Sequence, residues 1–370
     1  MHILKVLSRM VPDMDRNSSI SRFLETAWSG IRQMAPFHAF VLIHAAFVAA
    51  IVAWNADFTL GAYRQYVMQF GPVYFLGLPA VLLLGKAVGG IFRNPGAPLA
   101  WMRLPAPALL GHLASAAAIF GSLILFMGSF TTFKTLMPAL MGGFHHDRAQ
   151  ADLDALLLGG VDPGPRLMTL LGHPDILRIL EWNYSVAWTA FAFIPIFFVA
   201  LRARGAVRLR YCLNFVLVWT VLGNLLACLF LSAGPAFYGY VTGDTGRFAA
   251  QLQVLDNSVV SMFQAYLWQN HLQGVVGLGT GISAFPSVHV GVTMMNVLFL
   301  REINRPAGFL GFAYVAVILA SSSLLGWHYL IDGYVSIVVV LLLHVVLKRL
   351  FAVWGTAGAS FKPSPSPATG

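Results

Sequence analysis

Gly281-Ile282-Ser283-Ala284-Phe285-Pro286-Ser287-Val288-His289-Val290-Gly291 and Gly326-Trp327-His328-Tyr329-Leu330-Ile331-Asp332-Gly333 are two short polar islands in apolar sequence. Each opens a long hydrophobic run, and a third run lies between them. A charged group inside a membrane span costs about 2.5–3.5 kcal/mol at the helix centre and less near the interface. Two such islands at one membrane face are therefore read as a site.

The composition around them sets the fold class. Of 370 residues, 58% are hydrophobic and 10% charged, with a mean hydropathy of +0.74; soluble domains carry about 25% charge. An all-α, polytopic membrane helix bundle is expected, not a string of soluble domains. The net charge of +9 does not point to nucleic acid. The basic residues lie between apolar runs, where they set orientation and meet anionic lipid. Cys212 and Cys228 fall in one predicted helix. Their separation along it is about 24 Å at 1.5 Å per residue, too far for a disulfide, whose Cα atoms lie within about 7 Å.

Eight spans are predicted, near 37–54, 72–92, 107–130, 183–201, 211–233, 287–304, 307–327 and 328–350. The last two are nearly continuous, which requires a tight turn near Gly326. The chain thus divides into an N-tail (1–36), one transmembrane domain (37–352) with its catalytic core at about 183–350, and a Gly/Ala/Ser/Pro-rich C-tail (353–370) expected to be disordered. In the N-tail, Ile20, Phe23, Leu24, Trp28 and Ile31 recur at helical spacing among Arg22, Glu25 and Arg32. They suit either a helix on the membrane surface or an ordinary cytosolic tail. The polar lead is too long for a cleavable signal peptide. One side of this topology holds both termini and about 16 basic residues, and the other about 6, so the termini are expected in the cytoplasm. His289 and His328 then lie at the opposite, extracytoplasmic face, periplasmic or lumenal. The high Ala/Gly/Leu content and scarcity of long polar tails lean toward a bacterial inner membrane.

Two outer segments are long. Residues 135–181 contain Asp152, Asp154 and Asp162, followed by an amphipathic stretch from Leu167 to Leu180. Residues 234–286 open with Gly234-Pro235-Ala236-Phe237-Tyr238, continue through a predicted helix from Phe248 to Leu272, and reach a turn at Gly277-Leu278-Gly279-Thr280-Gly281. Loops of this length in a compact protein are usually functional, here as a cap at the outer interface. No internal repeat stands out, which weighs against a transporter.

His328 and Asp332 are four apart and share a helical face. A carboxylate accepting the Nδ1–H of an imidazole fixes its tautomer and leaves Nε2 as nucleophile or base. Ser287 and His289 stand at a helix start, with Pro286 at or beside the first turn. Exposed N–H groups there suit an anion, and the Ser287 hydroxyl either joins them or only caps the helix. With His289 as acid, this is a phosphoryl-transfer constellation. His145-His146-Asp147 is read as a solvated loop cluster, because no further ligands stand at fixed spacing. Gly277, Gly279 and Gly281 lack the lysine of a phosphate loop. His44, His112 and His344 are read as packing or interfacial residues, and Asp152, Asp154 and Asp162 as caps of helices and turns. Phe237 and Tyr238 either line a lipid cleft or join an aromatic belt.

Phe285-Pro286-Ser287-Val288-His289-Val290-Gly291, followed by Trp327-His328-Tyr329-Leu330-Ile331-Asp332, resembles the type 2 phosphatidic acid phosphatase superfamily. Ala284-Phe285-Pro286-Ser287, Gly234-Pro235-Ala236-Phe237-Tyr238 and the aspartates of 152–163 resemble its inositol phosphorylceramide synthase-like branch. The resemblance covers roughly 135–345 and implies a six-helix core within the bundle. It implies His328 as the nucleophile forming a phosphohistidine, Asp332 orienting it, and His289 protonating the departing lipid alkoxide, with no metal or other cofactor. The superfamily's Lys-x6-Arg-Pro motif is absent, and Ser321-Ser322 stands where Ser-Arg is usual. Two phosphate-binding cations are therefore missing, and Arg247 is the outer-side candidate to replace them. The implied activity is a membrane-embedded lipid phosphotransferase, taking a phospholipid donor and a lipid or polyol acceptor. Phosphatidylinositol and ceramide are the implied pair. A lipid phosphate phosphatase using water would employ the same residues. A lipid transporter that kept the fold is the third reading, and it would still move lipid without His328.

Overall fold

In lipid, every backbone N–H and C=O must find its partner within the segment, so long apolar runs become helices. The computed structural model describes residues 16–55, 61–93 and 107–358, and those residues contain helices and no strands. Residues 1–15 of the N-tail and 359–370 of the C-tail lie outside the described residues. Among the described residues, seven helices are long and apolar enough to cross a membrane, and the protein is a multi-pass helical membrane protein.

The helices are α1 (Arg16–Gln33), α2 (Ala35–Asn55), and α3, which runs Gly61–Pro72, through a π-turn at Val73–Gly77, into Leu78–Arg93. Then come α4 (Pro107–Leu140), α5 (Asp147–Leu157) and α6 (Pro163–Leu171). Helix α7 runs Pro174–Trp182, through a π-turn at Asn183–Ala187, into Trp188–Arg202. Helix α8 runs Gly205–Thr220 and continues through a π-turn at Val221–Leu226 to Leu229. The rest are α9 (Tyr238–Thr242), α10 (Ala249–Val254), α11 (Val259–Gln273), α12 (Val288–Ile303), α13 (Arg305–Leu324) and α14 (Leu330–Gly358).

Several boundaries differ from expectation. The second span begins at Gly61 rather than 72, because the polar first turns of α3 join the apolar run beyond Pro72. The amphipathic stretch 167–180 is two helices, α6 and the first part of α7, broken at Gly172-His173. The expected helix 248–272 is α10 and α11, separated where Asn257 takes a positive φ of 61°. Of the eight expected spans, the sixth is α12, only 16 residues long. Its length of about 24 Å at 1.5 Å per residue falls short of a bilayer core of about 30 Å. Its residues are buried almost throughout from Val288 to Leu298. The last helix extends to Gly358, into the tail expected to be disordered.

The chain forms two compact units. The first comprises residues up to Thr132, with 197–203 and 276–278. In it α2 buries Phe37, Val41, Val48 and Val52 at helical spacing, beside Met34 in the turn before it. Tyr74, Phe120 and Phe197 stack in a column, with centroids 4.8 and 5.5 Å apart. His44 packs on Phe126, and His112 bonds the Leu201 carbonyl. Helix α1 meets α4 where Gly111 leaves no room for a Cβ against the Phe23 carbonyl. It leaves Ile20, Leu24 and Trp28 exposed on its other face.

The second unit comprises 133–196, 204–275 and the chain from 279 onward. Helix α12 is its centre. Gly291 lets α8 and α14 approach, with Leu222, Val218 and Val340 around the missing Cβ, and Gly333 does the same for Leu319 and Val290. At the C-terminal end of α12, Glu302 pairs with Arg210 of α8 and with His344 and Lys348 of α14. Among the described residues Cys212 and Cys228 are free thiols on α8.

Candidate active site

The reversal between α13 and α14 is built by backbone bonds. Gly326 turns at φ 75°. The Trp327 and His328 amides then both donate to the Ser322 carbonyl, at 3.0 and 3.1 Å. The last carbonyls of α13 would otherwise be orphans. Gln251 Nε2 of α10 donates to those of Ser323 and Leu324, and Gln264 Nε2 of α11 to that of Leu325. At the other side of the turn, α14 begins with unsatisfied N–H groups. Asp154 of α5 caps it from a distance, accepting from Leu330 and Ile331, both at 2.9 Å.

Helix α5 reaches the site a second time, seven residues earlier. Asp147 accepts from the Ala233 and Gly234 amides and from the Tyr329 hydroxyl, each at 2.8 Å. Burial pushes both the Asp147 and Asp154 carboxyls above their ordinary range, and the amide donors oppose that. Gly234, at φ 97°, lies so near the turn that a Cβ would stand 2.6 Å from the Trp327 carbonyl. The Ala236 amide bonds the Gly326 carbonyl, and the Ala284 amide bonds that of Ser232. Three segments remote in sequence thus converge: 232–237, 284–289 and 326–332.

His328 sits at their junction, 6% exposed. Its Nδ1 lies 2.7 Å from the Ala284 carbonyl and 3.2 Å from Asp332 Oδ2. Neither oxygen is a donor, so Nδ1 carries the hydrogen and Nε2 keeps its lone pair. Burial first, and the Lys134 charge second, push its imidazole down to about 3. Asp332 is fully buried, and Oδ2 also accepts the Tyr329 amide at 3.0 Å.

His289 faces this ring with centroids 6.1 Å apart. It is held between Tyr184, stacked at 4.5 Å, and Trp188, tilted at 3.9 Å. Trp188 Nε1 and Thr293 Oγ1 both donate to the His289 carbonyl. Ser287 is the N-cap of α12 and fully buried; its Oγ accepts from the Val290 amide at 3.4 Å. Pro286 precedes this cap, so it is not the first helical residue.

Arg247 and Tyr238 are placed together. The Arg247 guanidinium makes a bidentate pair with Asp162, meets Asp152 at 2.6 Å, and bonds the Tyr238 hydroxyl at 3.3 Å. Asp162, then Asp152 and Tyr238, hold it above its ordinary value against burial. Tyr238 is buried with Ala151, Phe248 and Tyr329, and Phe237 stacks on Trp268. His145 bonds the Met141 carbonyl and His146 that of Leu231. Among the described residues, no three His, Cys, Asp or Glu side chains gather as metal ligands.

The sequence reading missed Lys134, Tyr184 and Trp188 as site neighbours, and treated Asp147 only as part of the His145-His146 cluster. Lys134 carried a usable signal, since it is an ammonium inside an apolar run. The other three carried none, being ordinary aromatics of a predicted span and an acid in a predicted loop.

Fold and site together define a multi-pass helical membrane protein with a histidine–carboxylate centre clamped between helix ends. A family model described as the PAP2 superfamily matches residues 148–346, more than half of the chain, and the chain belongs to that superfamily. It is accordingly a phosphatase-type enzyme acting on phosphate esters. Neither the curated proteins nor the solved structures contain a match.

Proposed function

We propose that the chain is an integral-membrane lipid phosphotransferase working through a phosphohistidine on His328. The observation that carries this is the His328 ring, whose Nδ1–H is bound by the Ala284 carbonyl and Asp332 while Nε2 keeps its lone pair. Nε2 attacks the phosphorus of a glycerophospholipid. The P–O bond to diacylglycerol breaks as the P–N bond forms, and His289, protonated once the donor's phosphate anion lies beside it, gives that proton to the departing oxygen. An acceptor hydroxyl then attacks phosphorus and passes its proton to His289; the P–N bond breaks and His328 is restored. Such acid–base help contributes about 10²–10⁴-fold.

Ser287 N-caps α12 beside the reacting group, and Arg247 with Tyr238 ties the overlying segments together. The donor is phosphatidylinositol and the acceptor ceramide, as in the inositol phosphorylceramide synthase-like branch. The site opens to the extracytoplasmic face of a bacterial inner membrane. The near-complete burial of His328 supports transfer over hydrolysis, because a water-poor site favours an acceptor delivered from lipid.

The test uses purified protein in vesicles with head-labelled phosphatidylinositol, ceramide and diacylglycerol, and a His328→Ala control. A new phosphorylated lipid made by the wild type alone is expected. Water-soluble headgroup phosphate as the sole product would make the enzyme a hydrolase. Activity retained by His328→Ala would remove the nucleophile assignment.

A further inference from the structure

A phosphoryl group in transfer concentrates negative charge, and a cation aimed at it is among the strongest stabilisers a site can supply. Arg247 is held by two carboxylates and a phenol. Lys134 is different. It lies on α4, half-buried, and among the described residues no hydrogen bond or ion pair engages its ammonium. An unneutralised ammonium in an apolar helix is costly, and inside a membrane protein such a group marks a substrate or ion path.

Its position is fixed by the loop that holds His328. Gly281, at φ 92°, rests on Lys134 so closely that a Cβ there would stand 2.7 Å from the Lys134 carbonyl carbon and 2.9 Å from its Cγ. The neighbouring hydroxyls of Thr135 and Thr280 bond at 2.9 Å. Three residues past Gly281, the Ala284 carbonyl takes the His328 Nδ1–H. The Lys134 charge acts on both the His289 and His328 rings. The matched family segment begins at residue 148, so Lys134 lies outside it.

We infer that Lys134 is the cation that binds the phosphate of the donor lipid between His289 and His328. Gly281 is required because only a residue without a side chain lets the loop pack on the lysine stem. The inference rests on the proposed phosphohistidine chemistry and adds the group that recognises the anion.

The experiment measures binding apart from chemistry. Full-length His328→Ala protein in detergent is titrated calorimetrically with dioctanoyl phosphatidylinositol and dioctanoyl phosphatidic acid, with dioctanoylglycerol as the uncharged control. The same titrations are made after adding Lys134→Ala or Lys134→Arg, and turnover is measured with His328 intact. Lys134→Ala is expected to weaken both phosphate lipids tenfold or more, to leave dioctanoylglycerol binding unchanged, and to be largely rescued by Lys134→Arg. If Lys134→Ala binds and turns over both phosphate lipids as its parent does, Lys134 is not the phosphate ligand. An equal loss for dioctanoylglycerol also overturns the inference, because the lysine then serves the fold. A wild type that neither binds nor cleaves any phosphate lipid defeats the underlying reading instead.

Discussion

Asp332, in the first turn of α14, reaches back to His328 in the segment before the helix, and its Oδ2 serves two donors, the imidazole and the Tyr329 amide. It therefore fixes both the ring and the backbone that carries it. Asp332→Asn offers an amide where an acceptor is needed and competes for the Nδ1 hydrogen. We expect turnover to fall about 10²–10⁴-fold with the protein still folded, measured by initial rates beside thermal unfolding. The same neutral, buried histidine sets a pH dependence. Its folded value is about 3, whereas an unfolded histidine binds a proton near 6.5. Above both values neither state is protonated and the group contributes no pH dependence; below about 6.5 the unfolded chain gains the proton first, so stability falls toward pH 3. Unfolding followed from pH 8 to pH 5 should show that decline, and His328→Gln should flatten it. The two histidines and Asp332 were legible because each is an ionisable residue at the edge of an apolar run. Lys134 satisfied the same rule but stood alone, far upstream in sequence, and only the fold brings it to the others.

Helix α5 works as a strut. Asp147 and Asp154 are seven apart, two helical turns, and so share the face turned to the site. One holds the 233–234 backbone and Tyr329, and the other caps α14. Asp154→Ala leaves two buried amides without an acceptor, at about 1–3 kcal/mol each. We expect a clear loss of thermal stability with a parallel loss of activity, whereas the exposed Asp152→Ala should change stability little. Gly234→Ala tests the close approach of the same loops. Its Cβ would meet the Trp327 carbonyl, and a positive φ disfavours any side chain, so poor folding or an inactive product is expected. Sequence marked Asp154 as a capping residue but not what it capped, and it read Asp147 only as part of a solvated loop cluster. A cap on the same helix leaves a local spacing to read, whereas Asp154 caps a helix that starts 176 residues later.

Across the whole molecule, hydropathy located the spans well where apolar runs end sharply, as at α2 and α13. It placed them poorly where a polar turn feeds an apolar helix, as at α3 and α7, because backbone bonding continues through the change in composition. The short, buried α12 read as a span because its neighbours, not lipid, make its surroundings apolar. Topology is testable at this scale. His289 stands at one end of α12 and Glu302 at the other. In a variant lacking Cys212 and Cys228, a cysteine at exposed Leu156 should react with an impermeant maleimide in intact cells. One at exposed Ile303 should react only after permeabilisation. The reverse pattern would place the site in the cytoplasm.

Covalent chemistry at His328 is tested by mass spectrometry of the enzyme after rapid alkaline quench with a labelled phospholipid donor. We expect the donor's phospho-headgroup on His328, stable to base and lost in acid, and absent from His328→Ala. A covalent group on another residue, or turnover with none at all, would contradict it.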